Sequence, residues 1–274
     1  MSTIAEILRA AAIDPADARV LLRFVLGASD AQLATHPERV VTAAERERFL
    51  ALAVRRRAGE PVAYLTGERE FYSLPFKVTA AVLIPRPETE LLVETALEWI
   101  AVDAPVRVLD LATGSGCVAI AIARHRARAH VTAVDVSPAA LAVARENAKD
   151  LGVGVEFIES DWFAALAGRR FDFIVANPPY VAEGDPHLES GDLRFEPRNA
   201  LVAGIDGLTC IRVIVGGAAA HLDDGGSLLF EHGFDQAAGC RNLLQIAGFQ
   251  KVASWRDLAG IERISGGCRR NHLR

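Results

Sequence analysis

Asn177-Pro178-Pro179-Tyr180 is the segment of this chain whose residue types most directly suggest chemistry. An Asn side chain offers a carbonyl acceptor and an NH2 donor, and the two prolines stiffen the backbone beyond it while leaving carbonyls with no competing local N–H. Such a site can grip a planar NH2 group. The ring of Tyr180 could cover the face of a planar amide or base and leave one direction open to an electrophile. Taken alone, the four residues suit equally well a strand that Pro-Pro terminates and a turn that Asn caps.

The neighbouring elements separate these readings. The tetrapeptide follows Phe171-Asp172-Phe173-Ile174-Val175-Ala176, an apolar run that reads as a buried strand ended by a breaker. Upstream, Val106 to Leu111 has a strand pattern and runs into Ala112-Thr113-Gly114-Ser115-Gly116, after which Cys117 to Ala123 is apolar and helix-like. Glycines in a strand-turn-helix let the backbone approach a ligand and present N–H groups at the helix start, which suits a nucleotide or a carboxylate. The next strand pattern, Val131 to Asp135, ends in an acid about 20 residues after the glycines, the spacing of a ribose-hydroxyl reader. A third, Val153 to Ile158, delivers Asp161-Trp162, a carboxylate and an indole suited to bonding and covering an adenine.

Dinucleotide dehydrogenases share the glycine turn and the acid, so the cofactor is identified by the order of the whole set. Glycine turn, acidic ribose reader, acid-aromatic pair and Asn-Pro-Pro-Tyr, each at the carboxyl end of a successive strand, resembles the class I S-adenosylmethionine-dependent methyltransferases that act on amino or amide nitrogen. Sites of this kind belong at the carboxyl ends of strands in an open sheet. A narrower likeness precedes the glycine turn. Tyr64-Leu65-Thr66-Gly67, Glu70-Phe71-Tyr72 and Val82-Leu83-Ile84-Pro85-Arg86-Pro87-Glu88-Thr89-Glu90-Leu91-Leu92-Val93-Glu94 resemble the approach to the catalytic domain in the HemK/PrmC family, the protein-glutamine N5-methyltransferases of peptide-chain release factors. Glu196-Pro197, Ala200-Leu201, Gly204 to Leu208 and Glu231-His232-Gly233 extend the resemblance over nearly the whole chain.

The resemblance implies S-adenosylmethionine as cofactor and, as substrate, the glutamine of a Gly-Gly-Gln loop in a class I release factor, inserted into a narrow cleft. It assigns Ala112, Thr113, Gly114, Ser115 and Gly116 to the methionine end of the cofactor, Asp135 to the ribose, Asp161 and Trp162 to the adenine, and Asn177 to the reaction centre that cofactor and substrate share. Asn177, Pro178, Pro179 and Tyr180 are the expected catalytic and substrate-binding residues, with Arg86 and Glu88 on the cleft wall. Because a sulfonium methyl is already activated, holding nitrogen, carbon and sulfur in line matters more than acid-base power. Hydrogen bonds from the substrate NH2 to the Asn177 side-chain oxygen and the Pro178 carbonyl would orient it and stabilise positive charge developing on nitrogen. No general base is evident; the alkylated amide can lose its proton to solvent.

Two departures from the family pattern stand out. Ala112 occupies a position more often glycine, an added methyl expected to take room from the cofactor without abolishing binding, and Gly260-Ile261-Glu262-Arg263 replaces Gly-Asn-Asp-Arg, where only local hydrogen bonds are at stake. The residues themselves support an N-methyltransferase for a planar amide or exocyclic amine. An adenine- or guanine-N methyltransferase of nucleic acid, or a noncatalytic cofactor-binding adaptor, remains compatible with them at this point. A nucleic-acid enzyme should carry a basic recognition surface or an extra domain.

Composition fits a soluble enzyme. The 274 residues, half of them apolar, can bury a large core, and the net charge of −5 argues against extensive phosphate binding, so no stable nucleic-acid partner is expected. Arg55-Arg56-Arg57 reads as a solvated helix face offset by Glu45, Glu47 and Glu60. No apolar run reaches the roughly 20 residues that span a bilayer, and Met1 to Glu6 lacks a signal-peptide pattern, so a cytoplasmic location is expected. Cys117, Cys210, Cys240 and Cys268 have no metal-like spacing.

Helical spacing at Ile4, Ile7, Leu8, Ala11, then Ala18, Leu21, Leu22, Val25, and again Phe49, Leu50, Ala53 predicts a small helical bundle over residues 1–66, a substrate-recognition domain. Residues 67–86 read as a hairpin-like connector, and 87–274 as the methyltransferase domain. Ser137-Pro138 should start a helix, and alternating patterns after Gly207 predict further helices and strands. The expected fold is α/β, Rossmann-like, a mostly parallel sheet with a late antiparallel strand and an N-terminal helical bundle. The polar stretch from Val181 to Asn199 is long for a structureless loop and is expected to border the substrate cleft.

Overall fold

The structure is a computed structural model describing residues 2–270. The chain divides into two compact units, Met1–Glu68 with His187–Phe195, and Arg69–Pro186 with Glu196–Arg274.

The first unit is helical. Helices Ile4–Ala10, Pro15–Leu26, Asp30–Thr35, Ala43–Arg57 and Val62–Thr66 each begin where the sequence supplies a stop for the preceding coil. Thr3 with Glu6, Ser29 with Gln32 and Thr42 with Glu45 form reciprocal capping boxes, and Asp14 caps a helix whose first residue is Pro15. Ile4, Ile7, Ala18, Leu21, Leu22, Val25, Phe49 and Ala53 bury together as their spacing predicts, whereas Leu50 stays 46% exposed. Arg55 pairs with Glu60 as expected of a solvated face. Arg56 instead turns inward, with Nε 2.7 Å from Asp17 and Nη1 2.9 Å from Asp192, and so fastens the 187–195 segment to these helices.

The second unit opens with a hairpin, Glu68–Phe71 and Leu74–Lys77, turned at Tyr72 and Ser73, both at positive φ. Its centre is a seven-stranded sheet of β1 (Arg107–Leu111), β2 (His130–Asp135), β3 (Glu156–Glu159), β4 (Phe171–Ala176), β5 (Leu222–Glu231), β6 (Gln250–Arg256) and β7 (Glu262–Cys268), in the order β6-β7-β5-β4-β1-β2-β3. All pairings from β3 across to β5 are parallel, and β7 is antiparallel to both β5 and β6. The helices are α1 (Glu90–Trp99), α2 (Cys117–His125), α3 (Pro138–Asp150), α4 (Thr209–His221) and α5 (Ala237–Ile246). Helix-covered strands bury both faces, which is why β1 and β4 are mostly apolar rather than strictly alternating.

Two cores sandwich the sheet. One gathers Phe71, Phe76, Leu92, Val108, Ile120 and Val131; the other gathers Leu109, Leu111, Ile174, Ile214, Leu228 and Phe230. Alternate residues of β1 thus serve opposite faces. Strand order reverses between β1 and β4, and a crevice outside the carboxyl ends at such a reversal is where open α/β sheets bind ligands. At the far end of the sheet, Glu262 in the departing Gly-Ile-Glu-Arg segment finds cationic partners in Arg241 at 3.1 Å and Arg256 at 3.6 Å.

One buried polar side chain ties the layers to the glycine turn. Asn147 of α3, 1% exposed, accepts from Lys77 N at 2.7 Å and donates to Lys77 O at 3.1 Å and Ser115 O at 2.9 Å. Replacing it with an isosteric apolar group strands three backbone groups. Asn147→Leu should therefore cost about 3 kcal/mol in urea unfolding and weaken binding at the glycine turn; an unchanged unfolding midpoint would refute this role.

Candidate active site

A single cleft at the strand-order reversal collects most of the sequence-predicted residues. It is a partly enclosed concavity whose lining is mostly apolar with a few polar groups converging on it, the form of a small-molecule site. Ala112, Thr113, Gly114 and Ser115 form one wall, with Asp135, Asp161 and Trp162 beyond them, and Asn177, Pro179 and Arg86 opposite. Gly116, Pro178, Tyr180 and Glu88 do not line it.

The reasons are local. Gly116 begins α2 at φ 83, and a Cβ there would stand 3.0 Å from Ile120 Cδ1 and 3.1 Å from Ala144 Cβ, so this glycine serves the packing of α2 on α3. Ala112 adopts φ 56, in the left-handed region. The consequence of its methyl that the structure shows is backbone strain of roughly 1–2 kcal/mol.

Asp135 joins the turn to the next helix. Its Oδ2 accepts from Gly114 N at 2.9 Å and its Oδ1 from Ser137 N at 2.9 Å. A carboxylate has about four acceptor positions, so capping the turn leaves capacity for two ligand hydroxyls. Trp162 sits at φ 49, its carbonyl accepting from Ser160 Oγ at 2.9 Å, and its indole lies between the cleft and the second core.

Charge on the cleft wall is unbalanced. Asp110, Asp135 and Asp161 face it against one cation, Arg86. Arg86 is already committed to Glu196, whose side chain is fully buried and also accepts from Ile84 N at 3.0 Å. Glu196 thereby pins the cleft-lining stretch that ends at Arg86. Burial raises the Asp110 carboxyl to about 7, against the pull of the Thr113 hydroxyl and the Ala119 backbone, with Asp135 adding to the rise. An acid-rich, partly enclosed wall favours a cationic ligand. Cys117 is no nucleophile: burial pushes its thiol up to about 12.

At the tetrapeptide, Asn177 Nδ2 donates to Thr89 Oγ1 at 3.0 Å while Asn177 Oδ1, buried, has no partner. Tyr180 is turned away from the expected stacking position, and its hydroxyl donates to Glu231 Oε1 at 3.0 Å. Burial holds the Tyr180 phenol well above its usual range. Behind it, Gln236 Nε2 donates to Tyr180 O at 3.0 Å, and Gly207 packs so closely that a Cβ would fall 2.3 Å from that carbonyl. Among the described residues, the buried side-chain polar atoms without a partner are Ser115 Oγ, Asn177 Oδ1 and Glu231 Oε2. The first two belong to cleft-lining residues and the third sits on the residue that holds Tyr180. Buried polar groups are nearly always bonded, and this clustering marks where a ligand's hydrogen bonds belong.

Thr89, Asp110, Glu196 and Glu231 were not singled out as site residues by sequence. Asp110 carried the signal used for Asp135, an acid at a strand end beside the glycine turn. Glu196 and Glu231 lay in segments noted only for family likeness. Of the polar loop after Tyr180, Pro197 and Asn199 do line the cleft, as does Ala200 just beyond it, while 187–195 belongs to the helical unit.

Residues 1–67 match the family description "PrmC N-terminal domain" and residues 87–192 match "Methyltransferase small domain". A release factor glutamine methyltransferase of Burkholderia pseudomallei is 56% identical over 273 residues, covering 97% of this chain and 96% of its own. The chain belongs to the release factor glutamine methyltransferase family. The Bordetella pertussis member of this family is 51% identical, with 97% of this chain and 99% of the relative covered. A solved methyltransferase of Pyrococcus furiosus shares the fold at a TM-score of 0.56 and 15% identity, over 84% of this chain and all of the other. Among the described residues, no helix is long and apolar enough to cross a membrane, and no group of His, Cys, Asp and Glu is arranged to hold a metal ion.

The Asp110 environment gives a pH signature. Its carboxyl ionises near 3.8 ordinarily and near 7 in the fold, so the folded state holds the proton longer; that contribution is full below about 4 and lost as pH rises through 7. Asp110→Asn should therefore gain thermal stability relative to wild type as pH goes from 6 to 8, measured as Tm without ligand. A difference between the two proteins that does not change with pH would contradict the assignment.

Proposed function

We propose that this chain transfers a methyl group from S-adenosylmethionine to the side-chain amide nitrogen, N5, of the glutamine in the Gly-Gly-Gln loop of class I peptide-chain release factors. The observation that carries the reading is the unpartnered Asn177 Oδ1, an acceptor fixed in an acid-walled cleft and lacking only an N–H. The near full-length identity to release factor glutamine methyltransferases supports the same substrate. It is an enzyme of translation termination, and a cytoplasmic site of action follows from that substrate.

The cleft suits the cofactor. Asp135 has spare acceptor capacity for ribose hydroxyls, Trp162 and Asp161 offer an apolar face and an acceptor for adenine, and Ala112 to Ser115 present the glycine turn to the methionine end. The surplus of carboxylates matches a ligand that carries a sulfonium and an ammonium charge. Bound S-adenosylmethionine supplies a methyl group already activated on sulfur.

The protein's part is placement. A carboxamide nitrogen is a weak nucleophile, and Asn177 Oδ1 orients it by accepting one of its N–H bonds; the Pro178 carbonyl, outside the cleft lining, becomes the second acceptor only for a glutamine inserted past that wall. Both acceptors stabilise the positive charge that grows on nitrogen as the new bond forms, an interaction stronger in the transition state than in the ground state. Pro179 closes the wall beside Asn177, and the anchored Tyr180 fixes the backbone of the tetrapeptide rather than presenting a free hydroxyl. No residue of the cleft is required to take the proton before transfer.

Labelled methyl transfer to a purified release factor, with its native loop and with Gln→Ala in that loop, tests the reading. Free tRNA, rRNA and DNA serve as parallel acceptors. Label on the native factor alone is expected, and label on nucleic acid alone would overturn the substrate. Asn177→Ala should lower kcat by about 100-fold or more while cofactor affinity changes by no more than a few-fold; cofactor binding with no transfer by the wild-type enzyme would instead indicate an adaptor.

A further inference from the structure

Which atom of the Asn177 amide faces the cleft is a question of hydrogen-bond polarity, and the amide itself cannot answer it. Its two ends are nearly the same size, and Thr89 Oγ1, its partner at 3.0 Å, can either accept or donate. Something beyond Thr89 must fix the direction. Glu231 stands there, 1% exposed, with Oε1 accepting from the Tyr180 hydroxyl at 3.0 Å and Oε2 unpartnered. The Thr89 hydroxyl is close enough to the Glu231 carboxyl to favour its ionised form, and the buried Oε2 is the acceptor left open to it.

We propose that Glu231 is a positioning residue that sets the polarity of a relay, Glu231–Thr89–Asn177, and so makes Asn177 present its oxygen rather than its NH2 to the substrate amide. The inference rests on Asn177 being the acceptor for that amide. An ionised carboxylate has only acceptors, so Thr89 must donate to it. The Thr89 oxygen is then left to accept, Asn177 must turn its NH2 toward Thr89, and Oδ1 is left facing the cleft. Tyr180 donates to the other carboxylate oxygen, so one buried group fixes both the side chain that meets the substrate and the ring two prolines further on. Burial raises the Glu231 carboxyl to about 7, with the Thr89 and Tyr180 hydroxyls and Arg263 lowering it and Glu88 raising it, so the relay gains its direction as pH rises through neutrality.

Glutamine at this position breaks the logic while preserving size. Its NH2 can donate to Thr89, whose hydroxyl then donates to Asn177, and the Asn177 amide reverses to oppose NH2 to NH2. The test uses the full-length enzyme with a release factor as acceptor, comparing wild type, Glu231→Gln, Thr89→Val and Thr89→Ser. E231Q and T89V are expected to lower kcat about tenfold or more with cofactor Kd within a few-fold of wild type, whereas T89S, which keeps the hydroxyl, retains most of the activity. The double variant E231Q/T89V should be no slower than the slower single one. A second readout needs no turnover: the Asn177 side-chain NH2, assigned in ¹⁵N-labelled protein by its loss in N177A, should exchange slowly with solvent in wild type and T89S and rapidly in E231Q and T89V.

Wild-type kcat and slow exchange in a folded E231Q would overturn the relay, as would a T89S that fails as badly as T89V. Should E231Q not fold, the Thr89 pair decides alone. If wild-type enzyme itself does not methylate the factor, the substrate reading fails, yet the exchange comparison still reports whether Glu231 orients Asn177.

Discussion

A buried carbonyl oxygen without a hydrogen bond is the constraint on which this site depends. Among the described residues no protein group donates to Asn177 Oδ1, and a buried acceptor gains when a donor reaches it. In the proposed reaction that donor is the substrate N–H, and the gain grows as its nitrogen becomes positive. Chemistry on a poor nucleophile needs such an arrangement, since the amide must be held by acceptors it can use only when correctly turned. Asn177 is held by contacts on several sides: the strand β4 that delivers it, the prolines that follow, the Gln236 and Gly207 contacts on the Tyr180 carbonyl, and Thr89, which accepts from its NH2.

The sheet explains why the acceptor meets a cofactor site at all. β1 and β4 are adjacent and parallel, so the glycine turn after β1 and the tetrapeptide after β4 leave the sheet side by side at its carboxyl edge. β2, on the other flank of β1, brings Asp135 to the same edge, and Asp135 bonds the glycine turn directly. The wall that results has three carboxylates and one already paired arginine, an electrostatic preference for a cation that uses few residues. Asn147, Glu196 and Glu231 act from beneath this wall, each a buried polar side chain spanning elements remote in sequence.

What sequence reveals here follows the range of the interaction. Asn177, Asp135 and the glycine turn were legible because each is announced by its own strand, turn and spacing. The helical bundle, the hairpin and the late antiparallel strand were legible for the same reason. Thr89 and Glu231 were not, because their meaning lies in contacts 88 and 51 residues away along the chain, to Asn177 and Tyr180. Tyr180 illustrates the limit of reasoning by residue type: an aromatic next to a polar site suggests stacking, but a buried carboxylate claimed its hydroxyl and drew the ring into the core. Ala112 illustrates another, since a missing glycine shows its cost only when the backbone proves to be at φ 56. Arg56 was read as solvated with its neighbours, and only the fold brings Asp17 and Asp192 to it.

The most direct test of the central claim is a crystal structure of the enzyme with S-adenosylhomocysteine and a release factor bearing its native Gly-Gly-Gln loop. The glutamine side-chain nitrogen should lie within about 3 Å of Asn177 Oδ1, with the Asn177 NH2 still on Thr89. A glutamine whose carbonyl oxygen meets Asn177, or whose nitrogen is held only by other residues, would contradict it.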